Sequence, residues 1–341
     1  MRPGRSSSGV GRYAAVVFVS ALLLFYVLYF RTSLTLRMGG SAREKSYSSI
    51  TSSSAAAFCE PAVSDFTPDL KGAFQRVLFE GNPRYWMVPP MPDFAFWVEE
   101  SLQSGGSSVV KVMHEQYGVF QEYFRDSPPD AIMLDVGGNV GLTSVPVAAM
   151  GRRAIVFEPV PLNLRVLKLA ACFNGFGERF SIVGAAVGAA DGAVDIFIPR
   201  GRSDNTALSA EVSIANVGGD SPQRVTVPKV ALDSWAKVAL SPADVEKVWL
   251  VKIDVQGFEL GVMEGARALL KALPRTAWVV AEHDPALMLK AGVVDTTGDI
   301  SFMASLGFTV HLEWKGAEVP ESQWATVPLG QWGRDMWYKK A

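Results

Sequence analysis

The chain has 341 residues, 49% of them hydrophobic and 19% charged, and its formal net charge is -2. This length suits one large domain or two ordinary ones. The charge balance lacks the basic surface that nucleic-acid binding needs, so we expect no nucleic-acid partner. The two cysteines, Cys59 and Cys172, are too few for a disulfide framework or a zinc site. One disulfide is compatible with them, but Cys172 falls in a predicted helix, and a buried free thiol is the favoured interpretation.

The N-terminal part of the chain contains an apolar block that predicts a membrane anchor. Residues 13–30 carry no charge, and about 18 residues at about 1.5 Å each span roughly 27 Å of hydrocarbon. The block is longer than the apolar core of a cleaved signal peptide, no clear cleavage site follows it, and its length also disfavours a plastid transit peptide. Positive charges flank both ends and leave the orientation open. Because the globular part follows the block, we expect a type II protein with a short cytoplasmic tail at 1–12.

The segments after the anchor differ in composition. Residues 31–57 are rich in serine, glycine and alanine, which predicts a flexible stem. Residues 58–129 form an N-terminal extension that we expect to be partly helical within 94–125. A loop signal with two prolines ends this extension. Residues 130–341 are then expected to form the main domain.

Strands and helices alternate from residue 131 onward, which predicts a Rossmann-like, doubly wound α/β fold with a mostly parallel sheet and helices on both faces. The predicted strands are 131–134, 154–157, 180–183 continuing to 186–187, 193–198, 224–230, 248–254, 278–281, 308–314 and 336–338. The predicted helices are 142–150, 161–174, 259–271 and 300–306. Ligands in such folds bind at the carboxyl ends of the strands, where Asp135, Glu158, Asp254 and Glu282 are predicted to gather.

The first predicted strand runs into a glycine-rich turn at 135–141 and then a helix. Glycine lets a ligand approach the backbone, and a helix N-terminus offers free N–H groups. The spacing matches neither the dinucleotide fingerprint nor the P-loop pattern. Asp135 suits a ligand that carries an amino group, and Glu158 can accept hydrogen bonds from a ribose diol. These features favour S-adenosylmethionine as the ligand.

Six segments in order resemble the FkbM family of methyltransferases. They are LDVGGNVG at 134–141, FEP at 157–159, AAVG at 185–188, LDSW at 232–235, VKIDVQGFE at 251–259 and AEH at 281–283. The resemblance implies a class I methyltransferase fold, S-adenosylmethionine as donor and transfer of the methyl group to oxygen. Two positions depart from the family pattern. The family usually has alanine at Gly138 and often glutamate at Gln256, so this chain lacks a charge beside Asp254.

The resemblance also suggests which residues bind the donor. Asp135, Gly137 and Asn139 are predicted to hold its methionine part, with a purely structural turn as the alternative. Glu158 is predicted to hold the ribose hydroxyls, with a solvated strand end as the alternative. Ala186 lies near the adenine or belongs to ordinary packing, and the sequence favours neither.

Two residues are candidates for the chemical step. Asp254 follows a central apolar strand, where burial would make it a better proton acceptor. His283 lies at a strand end, and imidazole is a side chain well suited to general base catalysis. The alternative role of Asp254 is that of a helix N-cap. The alternative role of His283 is that of a loop residue that caps the next segment. Lys252 is expected to pair with a buried acid on the same strand face, and Glu259 to stabilise its helix N-terminus through the dipole.

The predicted function is that of a membrane-anchored, S-adenosylmethionine-dependent O-methyltransferase. We expect it to face the lumen of a secretory compartment, with the Golgi favoured, and to methylate a glycan hydroxyl. The alternatives are a lipid or small-metabolite acceptor, and a non-catalytic methyltransferase-like binding protein. Asp254, Glu282 and His283 are conceivable ligands of a divalent metal, but the sequence shows no ligand set specific enough to predict one.

Overall fold

The computed structural model describes residues 75–77, 85–87, 118–199, 206–215, 221–327 and 334–341. The predicted tail, anchor and stem lie outside the described residues, as does most of the extension at 58–129. No helix within the described ranges is long and apolar enough to cross a membrane. Residues 118–125 are helical, which confirms the helix prediction for that part of the extension.

The strands and helices are numbered in chain order over the described residues. The strands are β1 (Gln75–Val77), β2 (Tyr85–Met87), β3 (Ile132–Val136), β4 (Arg153–Phe157), β5 (Phe180–Val183), β6 (Ala186–Val187), β7 (Gly192–Ile198), β8 (Gln223–Val230), β9 (Val248–Ile253), β10 (Trp278–His283), β11 (Phe308–His311) and β12 (Arg334–Lys340). The helices are α1 (Ser144–Ala149), α2 (Pro161–Asn174), α3 (Ala210–Ala215), α4 (Leu232–Ala239), α5 (Pro242–Val245), α6 (Glu259–Glu264), α7 (Arg267–Ala272), α8 (Pro285–Lys290) and α9 (Gly298–Ser305). Short 3-10 turns lie at Gly177–Arg179 and Glu321–Thr326.

The main sheet confirms the predicted parallel arrangement. In the part of the chain that the structure describes, seven strands follow the order β11-β12-β10-β9-β3-β4-β5. Neighbours from β5 to β10 run parallel, whereas β12 runs antiparallel to both β10 and β11. The chain leaves β3 towards β4 on one side and returns to β9 on the other. Ligands bind at such a reversal, so the topology places the candidate site at the ends of β3, β4 and β9.

The two faces of the main sheet carry separate cores, because side chains alternate along each strand. On one face, Leu134 and Val251 belong to the core that also contains apolar side chains of α4, α6, α7 and α9. On the other face, Val156 packs with side chains of α1 and α2. Leu250 lies on that same side, in a cluster with aromatic residues of the 118–125 helix. The central strands are therefore covered on both faces, which explains their nearly continuous apolar sequences.

A smaller sheet confirms the extra strands predicted at 193–198 and 224–230. Its order is β6-β8-β7, with β8 parallel to β6 and antiparallel to β7. The pair β1 and β2 is antiparallel. Apolar side chains of this small sheet form their own cluster with Val160, directly before α2.

The predicted helix at 259–271 is wrong as one continuous element, because the structure has α6 and α7 with Gly265 between them. A Cβ at Gly265 would lie 2.1 Å from the Gly188 carbonyl oxygen, so another loop occupies the space beside it. The Gly265 carbonyl oxygen accepts a hydrogen bond from the Asp233 N–H at 2.8 Å. The backbone here bonds outside the helix, and periodicity alone does not reveal such a contact.

The prediction of a free thiol at Cys172 is wrong. Cys172 lies near the end of α2 and is disulfide-bonded. Its side chain is only half-buried. A position within a helix does not prevent a disulfide when the residue lies on a partly exposed face of that helix, as Cys172 does.

Candidate active site

Four predicted strand-end acids do meet at one edge of the main sheet. Asp135 lies near the end of β3, Glu158 and Asp254 directly follow β4 and β9, and Glu282 is the last residue but one of β10. These four strands are parallel, so their carboxyl ends share an edge. The predicted gathering of carboxylates is confirmed.

Close backbone contacts shape the glycine turn after β3. Gly137 has a φ of 78°, in the left-handed region that glycine tolerates best. A Cβ at Gly137 would lie 1.8 Å from the Asp254 carbonyl oxygen. The Asp254 N–H in turn donates to the Val136 carbonyl oxygen at 3.0 Å. The loops after β3 and β9 therefore touch, which places Asp254 directly beside the turn.

Three N–H groups of the glycine turn, which precedes the helix N-terminus, are bonded within the chain. The N–H groups of Gly137 and Gly138 donate to the Phe157 carbonyl oxygen, each at 3.0 Å. The Asn139 N–H donates to Glu158 Oε2 at 2.8 Å. The end of β4 lies beside the turn and accepts these bonds. A ligand here would use nearby side-chain oxygens rather than these N–H groups.

Glu158 is a buried acid held beside the turn rather than a solvated strand end, since only 3% of it is exposed. Its Oε1 accepts hydrogen bonds from the Val160 N–H at 2.8 Å and from Asn163 Nδ2 at 3.3 Å. Burial raises the pKa of Glu158 to about 7, although the N–H groups of Val160 and Asn139 oppose the rise. Oε2 accepts one hydrogen bond within the described residues and keeps a lone pair for a ribose hydroxyl.

Asn163 is a site residue that the sequence analysis missed. It is buried in the first turn of α2, and its Nδ2 also donates to Asn139 Oδ1 at 3.1 Å. Asn163 thus links the acid after β4 to the turn after β3. An asparagine in the apolar first turn of a helix was the available signal, because a buried amide needs partners.

Ala186 lies in β6 and is buried in the small sheet's cluster with Val160, Ile196 and Val227. Its methyl group has apolar partners, which agrees with the packing alternative. Within the described residues, this apolar cluster contains none of the edge acids.

Lys252 lies between two of the edge acids, as its predicted pairing with a buried acid implies. Its Nζ is 3.1 Å from Asp254 Oδ2 and 3.8 Å from Asp135 Oδ1. Burial alone would lower the pKa of Lys252, but the carboxylates of Asp254, Asp135 and Asp335 together hold it above its ordinary value. The predicted burial of Asp254 is wrong, since 37% of its side chain is exposed.

Gln256 joins the ends of β9 and β10. Its Nε2 donates to Asp254 Oδ1 and to Glu282 Oε2, each at 3.0 Å. Its backbone has a φ of 57°, which is uncommon for a residue other than glycine and is often associated with functional sites. The amide that replaces the family's frequent glutamate thus serves as a donor between two acceptors.

His283 lies on the opposite face of the sheet from Glu282, because consecutive strand residues point to opposite faces. It is 2% exposed, and its Nδ1 is 2.9 Å from Asp299 Oδ2. Asp284, rather than His283, caps the next segment, because its carboxylate accepts hydrogen bonds from the N–H groups of Ala286 and Leu287. The structure therefore does not bring His283 together with Asp254.

Glu259 is fully buried at the start of α6, on the same side as His283. Its Oε1 accepts hydrogen bonds from the Val255 N–H at 2.9 Å and from the Gly257 N–H at 3.2 Å. Burial is the main cause that raises the pKa of Glu259 to about 8. Glu259 therefore holds the loop that carries Gln256 and does not reach the edge.

The described residues contain no group of three or more His, Cys, Asp or Glu side chains arranged to hold a metal ion. His283 faces away, and Lys252 and Gln256 already bond the Asp254 carboxylate. His283 therefore does not join Asp254 and Glu282 in one set of ligands.

These features fit S-adenosylmethionine as the donor. Asp135 Oδ1 is buried and has no hydrogen-bond partner in the described part of the chain, which leaves an acceptor near the turn. The missing side chain at Gly137 lets the loop after β9 pack directly against the turn, and Glu158 is fixed beside it. The parallel sheet, the turn and the acid after β4 together define a class I methyltransferase. The chain matches the methyltransferase FkbM domain over residues 135–308, just over half of its length, and it belongs to that family.

The chain also resembles individual proteins. It is 26% identical over 254 residues to the AMB antimetabolite synthetase AmbE of Pseudomonas aeruginosa, a match that covers 63% of this chain and 12% of that protein. Precorrin-6y C5,15-methyltransferase from Geobacter metallireducens has a TM-score of 0.37 and 14% identity, covering 67% of this chain and 88% of its own. Magnesium protoporphyrin IX methyltransferase from Synechocystis, with bound SAH, has a TM-score of 0.36 and 13% identity, covering 74% of this chain and 95% of its own.

Proposed function

We propose that this S-adenosylmethionine-dependent methyltransferase is membrane-anchored and methylates a hydroxyl group of a glycan in a secretory compartment, with the Golgi favoured. One observation carries the choice of acceptor. The edge beside the donor turn carries the side-chain oxygens of Asp254, Gln256 and Glu282, which accept hydrogen bonds from hydroxyl groups. An acceptor with several hydroxyls would use several of these oxygens at once.

The compartment is supported by two features of the chain. The uncharged block at 13–30 has the length and composition of a signal anchor. The disulfide at Cys172 suits an oxidising compartment, because cytosolic thiols are kept reduced. Protease treatment of sealed membrane vesicles tests the topology, and full digestion of the domain in intact vesicles would contradict a luminal location.

The donor supplies a methyl group bound to a sulfonium, and the protein supplies alignment and proton removal. Asp135, Gly137 and Asn139 would hold the methionine part, and Glu158 the ribose hydroxyls. Asp254 is exposed enough to receive an acceptor hydroxyl beside the turn.

Transfer of labelled methyl to separated glycan, lipid and small-metabolite fractions tests the acceptor class. We expect label in the glycan fraction and at least a tenfold lower rate for Asp254→Asn, with donor affinity retained in calorimetry. Asp126→Asn, at an exposed position directly after the 118–125 helix, is the matched control and should leave the rate unchanged.

The rival functions give different results in the same experiment. Label confined to lipids or small metabolites would replace the glycan proposal by its alternative. Donor binding without transfer to any fraction would favour a non-catalytic methyltransferase-like protein. No donor binding at all would contradict the donor site itself.

A further inference from the structure

We propose that Glu282 is the catalytic base that removes the acceptor's hydroxyl proton, and that Gln256 positions it. This assignment rests on the proposed O-methyl transfer and differs from the sequence-based candidates, Asp254 and His283. It follows from the hydrogen bonds and from the strand face of each residue.

Asp254 has both carboxylate oxygens engaged. Its Oδ2 accepts from the Lys252 ammonium at 3.1 Å, and its Oδ1 accepts from the Gln256 amide at 3.0 Å. Each oxygen therefore already has a donor of this chain beside it, so Asp254 is less well placed than a carboxylate with an unbonded oxygen to take the acceptor's proton.

His283 is excluded by geometry. The edge group of Lys252, Asp254 and Glu282 lies on one face of the sheet, and His283 lies on the other. His283 is also almost fully buried against Asp299. A proton from an acceptor beside Gly137 would have to cross the sheet to reach its ring.

Glu282 has a free oxygen on the correct face. Gln256 Nε2 holds its Oε2 at 3.0 Å, whereas Oε1 accepts no hydrogen bond within the described residues. The residue is half-buried, so a ligand can reach it. Gln256 holds this geometry with a left-handed backbone fixed by the loop that Glu259 binds. Glu282 therefore combines a fixed orientation with an available lone pair.

The charges around Glu282 support the assignment. Removal from water is the main cause that raises its pKa well above the ordinary range. The carboxylates of Asp254, Glu259 and Asp335 add to the rise, and the Lys252 ammonium opposes it. A base is most effective when its pKa lies near the working pH. Asp335 faces Glu282 directly across the β10–β12 pair.

The proposed step is balanced in atoms and charge. The acceptor oxygen forms a bond to the methyl carbon as the carbon–sulfur bond breaks, and that bond's electron pair goes to sulfur. Glu282 Oε1 takes the hydroxyl proton and later releases it to water. The sulfonium loses its positive charge when it becomes a thioether, and the release of one proton balances that charge.

The turnover test uses the full-length protein and the glycan fraction that accepts label. We expect Glu282→Gln to lower kcat by about 10²-fold or more at every pH, with donor affinity unchanged. Glu264→Gln on the exposed side of α6 is the matched control. Gln256→Ala should lower kcat and move the acid limb of the pH profile to higher pH, because it removes a donor that favours ionised Glu282. Wild-type kcat in Glu282→Gln would overturn the assignment while leaving the proposed function intact.

A second measurement does not depend on the acceptor. Carbon NMR of glutamate labelled at its carboxyl carbon, in the presence of S-adenosylhomocysteine, follows each titration directly. We expect several resonances that titrate above the ordinary carboxyl range, because the pKa values of Glu158 and Glu259 are raised as well, and one of these resonances should be absent from Glu282→Gln. If the resonance lost in that variant titrates in the ordinary range, Glu282 is not the base. If no fraction accepts label from the wild type, the proposed function fails and the base assignment fails with it, whereas transfer by the wild type together with an ordinary titration of Glu282 overturns the base assignment alone.

Discussion

Gly138 offers the sharpest test of the packing behind the donor turn, because the family usually has alanine there. A Cβ at Gly138 would lie 2.1 Å from Val156 Cγ1, whereas carbon atoms in contact lie roughly 3.5–4.0 Å apart. Gly138 does not have a positive φ, so alanine meets no backbone penalty. The clash with one buried valine is therefore the main expected cost.

The magnitude follows from overpacking. Val156 is fully buried in β4 and is stiff at χ1, so it cannot turn away easily. We expect Gly138→Ala to lower the free energy of unfolding by about 1–3 kcal/mol. Val156→Ala should cost about 2 kcal/mol through lost apolar contact and a cavity. The double variant should lose about 2 kcal/mol rather than the sum, because the new methyl group occupies space that the valine leaves.

Chemical denaturation of the wild type, both single variants and the double variant measures this coupling. Val262→Ala, in the core on the opposite face, is the control partner and should add to Gly138→Ala without coupling. Losses that add for Gly138→Ala and Val156→Ala would refute the reasoning, since they would show that the valine does not exclude the methyl group.

Two further predictions concern the donor site. Gly137→Ala should abolish measurable donor binding and should destabilise the domain more than the control Gly175→Ala, which should cost about 1–2 kcal/mol. Both glycines have a positive φ, but only a Cβ at Gly137 would clash with a backbone oxygen, that of Asp254. Equal losses in thermal unfolding would contradict this. Because the pKa of Glu158 is about 7 in the folded protein, its carboxyl group ionises between pH 6 and 8, and the ionised form accepts the ribose hydroxyls. Donor affinity should therefore rise about tenfold over that interval, with proton release on binding, and a Glu158→Gln variant that shows the same pH dependence in calorimetry would contradict the assignment.

The sequence was informative wherever one pattern has one structural meaning. Apolar runs that end in Asp135, Glu158 and Asp254 predicted parallel strands and a shared carboxyl edge, and both are confirmed. It was less informative for short elements. The six-residue helix α8, which Asp284 caps, shows no useful periodicity, and the break at Gly265 depends on a contact with a distant loop.

The residues of the site were harder to predict than the fold. Sequence position placed Glu282 and His283 together, yet strand alternation sends them to opposite faces. Strand alternation applies to Glu282 and His283 because β10 extends to His283, whereas the predicted strand at 278–281 ended before both residues. Asn163 and Gln256 were overlooked as participants, because an amide has no chemical signature until its partners are known.

The charges at the edge explain why an amide suits position 256 in this chain. The face of the sheet around Glu282 carries the carboxylates of Asp135, Asp254, Glu282 and Asp335, and the ammonium of Lys252. A fifth carboxylate there would need a proton or another cation, since one ammonium cannot neutralise so many acids. Gln256 instead donates to Asp254 and Glu282 without adding charge. The departure from the family pattern therefore lowers the repulsion at this edge while it fixes the orientation of both acids.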